Sequence, residues 1–110
     1  MPAAAALRAI AEPRRLQILR LVRDREVSAG EIAKRFEVSR PAISQHLAVL
    51  KEAGLLVERR DGTRRLYRSR PEGLAELRAY LEGFWQESLF QLKQTVERDQ
   101  RMRKVHGRAR

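Results

Sequence analysis

Cysteine is absent from the 110 residues, which excludes disulfides, thiolate metal sites and thiol redox sensing. The two histidines, His46 and His106, have no second ligand at metal-binding spacing, so neither a metal nor a cofactor is expected. Aromatic residues are scarce, at 5% of the chain, and form no clustered platform of the kind that stacks RNA bases. No apolar run approaches a membrane span. The start, Met1 to Leu7, is Ala-rich but lacks a basic segment before it. Charge returns at Arg8 and Glu12, so it does not read as an export signal. A soluble, cytoplasmic protein is therefore expected. No nucleophile–base set, carboxylate pair or phosphate-binding loop can be assembled, which argues against an enzyme.

What the chain has in excess is positive charge. Twenty-four Lys and Arg against fourteen Asp and Glu give a formal +10, and the isoelectric point is near 11.3. Such a field attracts polyanions, meaning nucleic acid or an acidic membrane surface. An apolar fraction of 43% suffices for one compact domain, although a domain this small is marginal alone. Burial in a homodimer would relieve that.

Local signals divide the chain further. Ala3 to Ala11 reads as helix by propensity, and Pro13 suits the first turn of a second helix. Leu16, Ile18, Leu19, Leu21 and Val22 give this helix its apolar face, leaving Arg14, Arg15, Arg20 and Arg23 to solvent. Ser28-Ala29-Gly30-Glu31 has the form of a capping box, in which Glu31 reaches back to the cap N–H. The short helix after it carries Ile32, Ala33 and Phe36 and ends near Glu37. Ser39 caps the next helix, with Pro41 in its first turn, Ile43, Leu47 and Leu50 on its apolar face, and Gly54 at its end. Two capped helices this close form a helix-turn-helix. Leu55–Arg60 and Arg64–Ser69 then read as strands around a hairpin loop, Asp61-Gly62-Thr63. From Pro71 a last helix carries Leu74, Leu77, Leu81, Phe84, Trp85, Leu89, Leu92 and Val96 along one stripe. The expected fold is mainly α with a small β-hairpin wing, in the order α-α-α-α-β-β-α. Residues 1–97 form one domain in this reading, and 98–110 a basic tail that frays.

Several stretches together resemble the arsenic-repressor (ArsR/SmtB-type) winged-helix regulators. The likeness is carried by Ala11 to Leu19, by Val38 to Leu50, by Ala53-Gly54-Leu55-Leu56 and by Arg64 to Arg68. The resemblance implies a dimer formed by the first and last helices, with the recognition helices presented to successive major grooves. The chain departs from the metal-sensing members of that family. Where their paired cysteines lie it reads Ala29 to Lys34, and its last helix lacks their Asp/His and His/Glu ligand pairs. The resemblance thus implies DNA binding without metal sensing.

On a helical wheel Pro41, Ser44, Gln45 and Ala48 fall opposite Ile43, Leu47 and Leu50. Arg40 lies nearer the core side, but at the helix N-terminus its long side chain can swing outward. Arg40, Pro41, Ser44 and Gln45 match family positions that face base edges. Arg suits guanine, Gln suits adenine, and Ser suits either. Ser39 caps in any case and also offers a phosphate contact. His46 borders the core and is expected to be packed or to touch a phosphate. In the wing, Arg60, Arg64, Arg65 and Arg68 are candidate DNA contacts; Arg60 and Arg64 lie nearest the tip and a flanking minor groove. Arg14 and Arg15 are further phosphate candidates. The dimer seam is assigned to Leu7, Ile10, Leu77, Leu81, Phe84, Trp85, Leu89 and Leu92. The function expected is a homodimeric, sequence-specific binder of double-stranded DNA, acting as a repressor. A nonspecific architectural protein, or a same-fold regulator switched by a small molecule or protein partner, are the alternatives.

Overall fold

In the computed structural model, which describes residues 2–108, eight elements follow one another along the chain. They are α1 (Pro2–Ile10), α2 (Pro13–Leu21), β1 (Val27–Ser28), α3 (Ala29–Phe36), α4 (Arg40–Glu52), β2 (Leu56–Asp61), β3 (Arg64–Ser69) and α5 (Pro71–Arg108). The chain divides into two compact units, Met1–Arg78 and Ala79–Arg110.

Within the first unit, α1 to α4 close over one core. Ile18, Val22, Val27, Ile32, Ile43, Leu47, Leu50 and Leu55 are all under 2% or at 2% exposed. Ala6 and Ala9 bring α1 close, because their small side chains let the helix approach the same cluster. Leu16 departs from the sequence reading: 37% of its surface is exposed, although it was expected on the buried face of α2.

The helix ends follow their local chemistry. Glu12 accepts from the Arg15 N–H, Ser28 from the Glu31 N–H and Ser39 from the Ala42 N–H. The expected capping box is only half formed. Glu31 does not return to the cap, and its carboxylate lies 3.8 Å from Arg25 instead. A Schellman pattern ends α4: Leu55 N–H donates to the Leu50 carbonyl and Gly54 N–H to that of Lys51. Gly54 there has φ +77°. The same pattern ends α3, with Val38 donating to Ala33 and Glu37 to Lys34. Glu37 takes the left-handed conformation, at φ 53°, that glycine supplies in α4. This leaves Glu37, Val38 and Ser39 as the whole turn between α3 and α4.

The sheet holds one strand that the sequence reading did not include. Its order is β1-β3-β2, all antiparallel. β1 is only two residues long, pairing Val27 with Tyr67 and Ser28 with Leu66. So short a strand has no periodicity to detect, and only its partner defines it. The β2–β3 hairpin closes at the Asp61–Arg64 pair, so its loop is Gly62-Thr63, with Gly62 at φ +64°. At the far end of β3, Ser69 N–H donates to the Val22 carbonyl and Ser69 Oγ to that of Arg23. These bonds anchor the wing base to the end of α2.

The last helix enters the core of the first unit through Leu77, which is 6% exposed. It continues as helix through Arg98, where the sequence reading begins a frayed tail, to Arg108. Residues 84–106 contain neither Gly nor Pro, so nothing local stops it. Ala109 and Arg110, the end of the expected tail, lie outside the described residues. No described helix is long and apolar enough to cross a membrane.

Candidate nucleic-acid interface

Helix α4 has two chemically distinct faces. Ile43, Leu47 and Leu50 are buried, whereas Ser39, Arg40, Pro41, Ser44, Gln45, Ala48 and Val49 are exposed. The exposed set combines hydroxyl, amide and guanidinium donors with small apolar surfaces, the chemistry that distinguishes base edges in a major groove. The helix is seated by the core on one side and by the three-residue turn on the other.

Arg40 is exposed at the first position of α4. Its guanidinium lies back against α3, where a Cβ added to Gly30 would stand 3.1 Å from Arg40 Nη1. His46 is partly buried and faces the start of α2. Arg15 Nη1 lies 3.5 Å from His46 Nδ1, and Glu12 lies 3.9 Å from the same nitrogen.

The phosphate candidates of α2 prove to be engaged inside the protein. Arg15 Nε donates to the Ala9 carbonyl at 2.6 Å, and Nη2 to that of Arg8 at 3.4 Å. It therefore closes the C-terminal end of α1, where a cation is favoured by the helix dipole. Arg14 lies 5.3 Å from the centroid of Phe36, a cation–π contact, and reaches Gln17 as well.

The wing arginines separate into two groups. Arg59 is held by Glu26, and Arg65 Nε lies 3.5 Å from Glu58. Glu58 also accepts from Lys51 Nζ at 2.8 Å, linking α4 to the wing. That hydrogen bond is the main cause holding the Glu58 carboxyl below the usual carboxylate range. Arg70 donates to the Gly54 carbonyl and lies 3.9 Å from Glu72, so it serves the end of α4. Among the described residues, the guanidinium groups of Arg60, Arg64 and Arg68 make no hydrogen bond or close ion pair, although the charge of Arg60 is felt at Glu58 and that of Arg68 at Glu26. Arg64 and Arg68 share a face of β3 with buried Leu66, whereas Arg60 stands opposite Arg65 across the hairpin. The paired acids, Glu26 and Glu58, were not singled out in the sequence. Glu26 lies 33 residues from Arg59, whereas Glu58 is only seven from Lys51 and from Arg65, and its pairing depends on how the hairpin folds back toward α4.

The residues assigned to a dimer seam also divide. Leu7 and Ile10 are half-buried against the core, and Leu77 belongs to that core. In the second unit Leu81, Phe84, Trp85, Leu89 and Leu92 are 39–62% exposed, as are Tyr80, Phe90 and Val96. Among the described residues no three His, Cys, Asp or Glu side chains gather in a way that could hold a metal ion.

A recognition-type helix seated behind a tight turn, with a basic β-hairpin beside it, defines a winged helix-turn-helix module. Residues 12–57 match the family model for bacterial regulatory proteins of the arsR family. Over 92 residues the chain is 42% identical to the HTH-type transcriptional regulator Rv2034 of Mycobacterium tuberculosis, covering 84% of this chain and 86% of that one. It is also 49% identical over 55 residues to the transcriptional activator HlyU of Vibrio cholerae, covering 50% of this chain and 51% of the relative. Against the transcriptional repressor SdpR of Bacillus subtilis it is 42% identical over 55 residues, covering 50% and 61%. The chain thus spans about half the length of the first of these two and about three fifths of the second. A homodimeric winged helix-turn-helix DNA-binding domain from Mycobacterium bovis superimposes with a TM-score of 0.64 at 36% identity, covering 78% of this chain and 80% of that one. The chain belongs to the arsR family and is a transcription regulator.

Proposed function

We propose that the protein acts as a homodimer that binds a two-fold symmetric site in double-stranded DNA and represses transcription by occupying it. The observation that carries this reading is the exposed row Pro41, Ser44 and Gln45 on α4, in a chain whose wing exposes Arg60, Arg64 and Arg68 without a hydrogen bond or close ion pair among the described residues. Ser44 and Gln45 read base edges, while the wing arginines and Ser39 hold the backbone. Two recognition helices about 34 Å apart would fit successive major grooves on one side of the duplex. The exposed residues Leu81, Phe84, Trp85, Leu89 and Leu92 form the seam between the subunits. In this reading the protein works in the cytoplasm, needs no metal or cofactor and catalyses no reaction.

Repression requires only occupancy of a site that overlaps a promoter. Selection of bound fragments from random DNA, followed by footprinting at about 150 mM salt, tests the binding. A palindromic footprint that persists in salt supports a sequence-specific dimer. Binding that collapses with salt, without a preferred sequence, identifies an architectural protein instead. A reporter driven by the selected site then gives the sign of control.

A further inference from the structure

Between the wing tip and the first turn of α3 lies an open cleft of about 400 Å³, lined by Ser28, Gly30, Arg40, Thr63, Arg64 and Arg65 among others. Three arginines line it, and no acid does. Arg65 is partly neutralised by Glu58, 3.5 Å away. Arg40 and Arg64 have no carboxylate or other hydrogen-bond partner among the described residues. They come from different elements, α4 and β3.

Gly30 lies directly beneath Arg40. It occupies the first turn of an α-helix, where glycine carries a propensity cost. A side chain there would crowd Arg40 Nη1, at 3.1 Å from the added Cβ. The Arg40 guanidinium lies close to α3 at this position, and Arg40 lines the cleft together with Arg64 and Arg65 of the wing. Guanidinium groups are planar forks that match the paired oxygens of a phosphate.

We propose that this cleft is a phosphate-oxyanion site in which Arg40 and Arg64 together clamp one backbone phosphate of DNA. Arg40 then fixes the register of the protein on the duplex and reads no base. The assignment rests on the DNA-binding reading for the source of the phosphate, although not for the chemistry of the site.

Two measurements on the full chain test it. In the first, inorganic phosphate is titrated without DNA while the arginine Nε–H and Gly30 amide signals are followed by NMR. Saturable shifts are expected at Gly30, Arg40 and Arg64, and these disappear in Arg40→Ala. Equal, unsaturable shifts across all surface arginines would reduce the cleft to general charge screening and overturn the site.

In the second, Arg40→Ala is compared with wild type on the selected site and on random DNA. Equal losses of roughly tenfold are expected, with a salt slope shallower by about 0.9. A loss confined to the selected site would make Arg40 a base reader and overturn the proposal. Gly30→Ala, its fold checked by circular dichroism, should reproduce a weaker version of the same equal loss. Phosphate binding in the cleft without any DNA binding would uphold the site and reject DNA as its source.

Discussion

Arg59 grips Glu26 across 33 positions of sequence, with Nε and Nη2 each 2.9 Å from a carboxylate oxygen. The fork ties β2 of the wing to the segment that leads into β1. The hydrogen bond from Arg59 is the main cause holding the Glu26 carboxyl below its usual range, and the same bond raises Arg59. One of the most prominent wing arginines is therefore committed to holding the wing and is not free for a phosphate.

This relationship predicts a difference between neighbours. Arg60→Ala should weaken binding to any DNA and make the salt slope shallower by about 0.9. Arg59→Ala should leave that slope unchanged and instead loosen the wing, read as faster amide exchange in β2 and β3. Equal slope changes in both variants would contradict the division of the arginines.

Gln45 carries the specificity prediction. Gln45→Ala should lose about 1–3 kcal/mol of discrimination between the selected site and a variant at its base pair, with little effect on random DNA. Equal losses on both sequences would remove its reading role.

The paired carboxylates predict an acid limb. Glu26 and Glu58 both have lowered pKa values, the first through Arg59 and the second through Lys51. Folding therefore binds fewer protons at these groups than the unfolded chain does. The stabilisation is present above the unfolded value, about 4.3, and is lost as pH falls through the lowered folded value. Thermal melts should be flat from about pH 7 to pH 5 and fall below about pH 4.3, less steeply in Glu58→Gln. An identical limb in that variant would show that its pairing contributes nothing.

Gly73 reverses a propensity rule. Alanine in an exposed helix is favoured over glycine by roughly 1 kcal/mol. Gly73 is buried, and a Cβ there would run into the carbonyl of Gly54. Gly73→Ala should therefore lower stability, measured by urea unfolding, by about 1–3 kcal/mol. A more stable variant would mean that the two segments can part freely.

The single tryptophan reports on the seam. Trp85 is 62% exposed in the chain alone, next to Phe84 at 60%. A dimer that covers it predicts blue-shifted emission at high concentration and a red shift on dilution. Phe84→Glu should give red emission and a monomeric sedimentation coefficient throughout. Dimers that persist in that variant would place the seam elsewhere.

The local grammar of this chain was legible without its structure. Ser28 and Ser39 cap the helices they precede, Gly54 ends α4, Gly62 turns the hairpin, and Ile43, Leu47 and Leu50 mark the face of α4 that the core covers. Each signal acts within a few residues, through a hydrogen bond or a helical period, so the order of residues suffices to read it. The excess of positive charge was equally plain, but composition treats all its arginines alike. Tertiary structure divided them. Glu26 lies 33 residues from Arg59, Arg15 finds carbonyls of α1 and lies beside His46, and Arg40 comes to lie beside Gly30 of α3. The strand Val27–Ser28 likewise exists only through Leu66 and Tyr67. Which charges remain free for a polyanion depends on where distant acids and carbonyls come to rest, and only the folded chain brings those partners together.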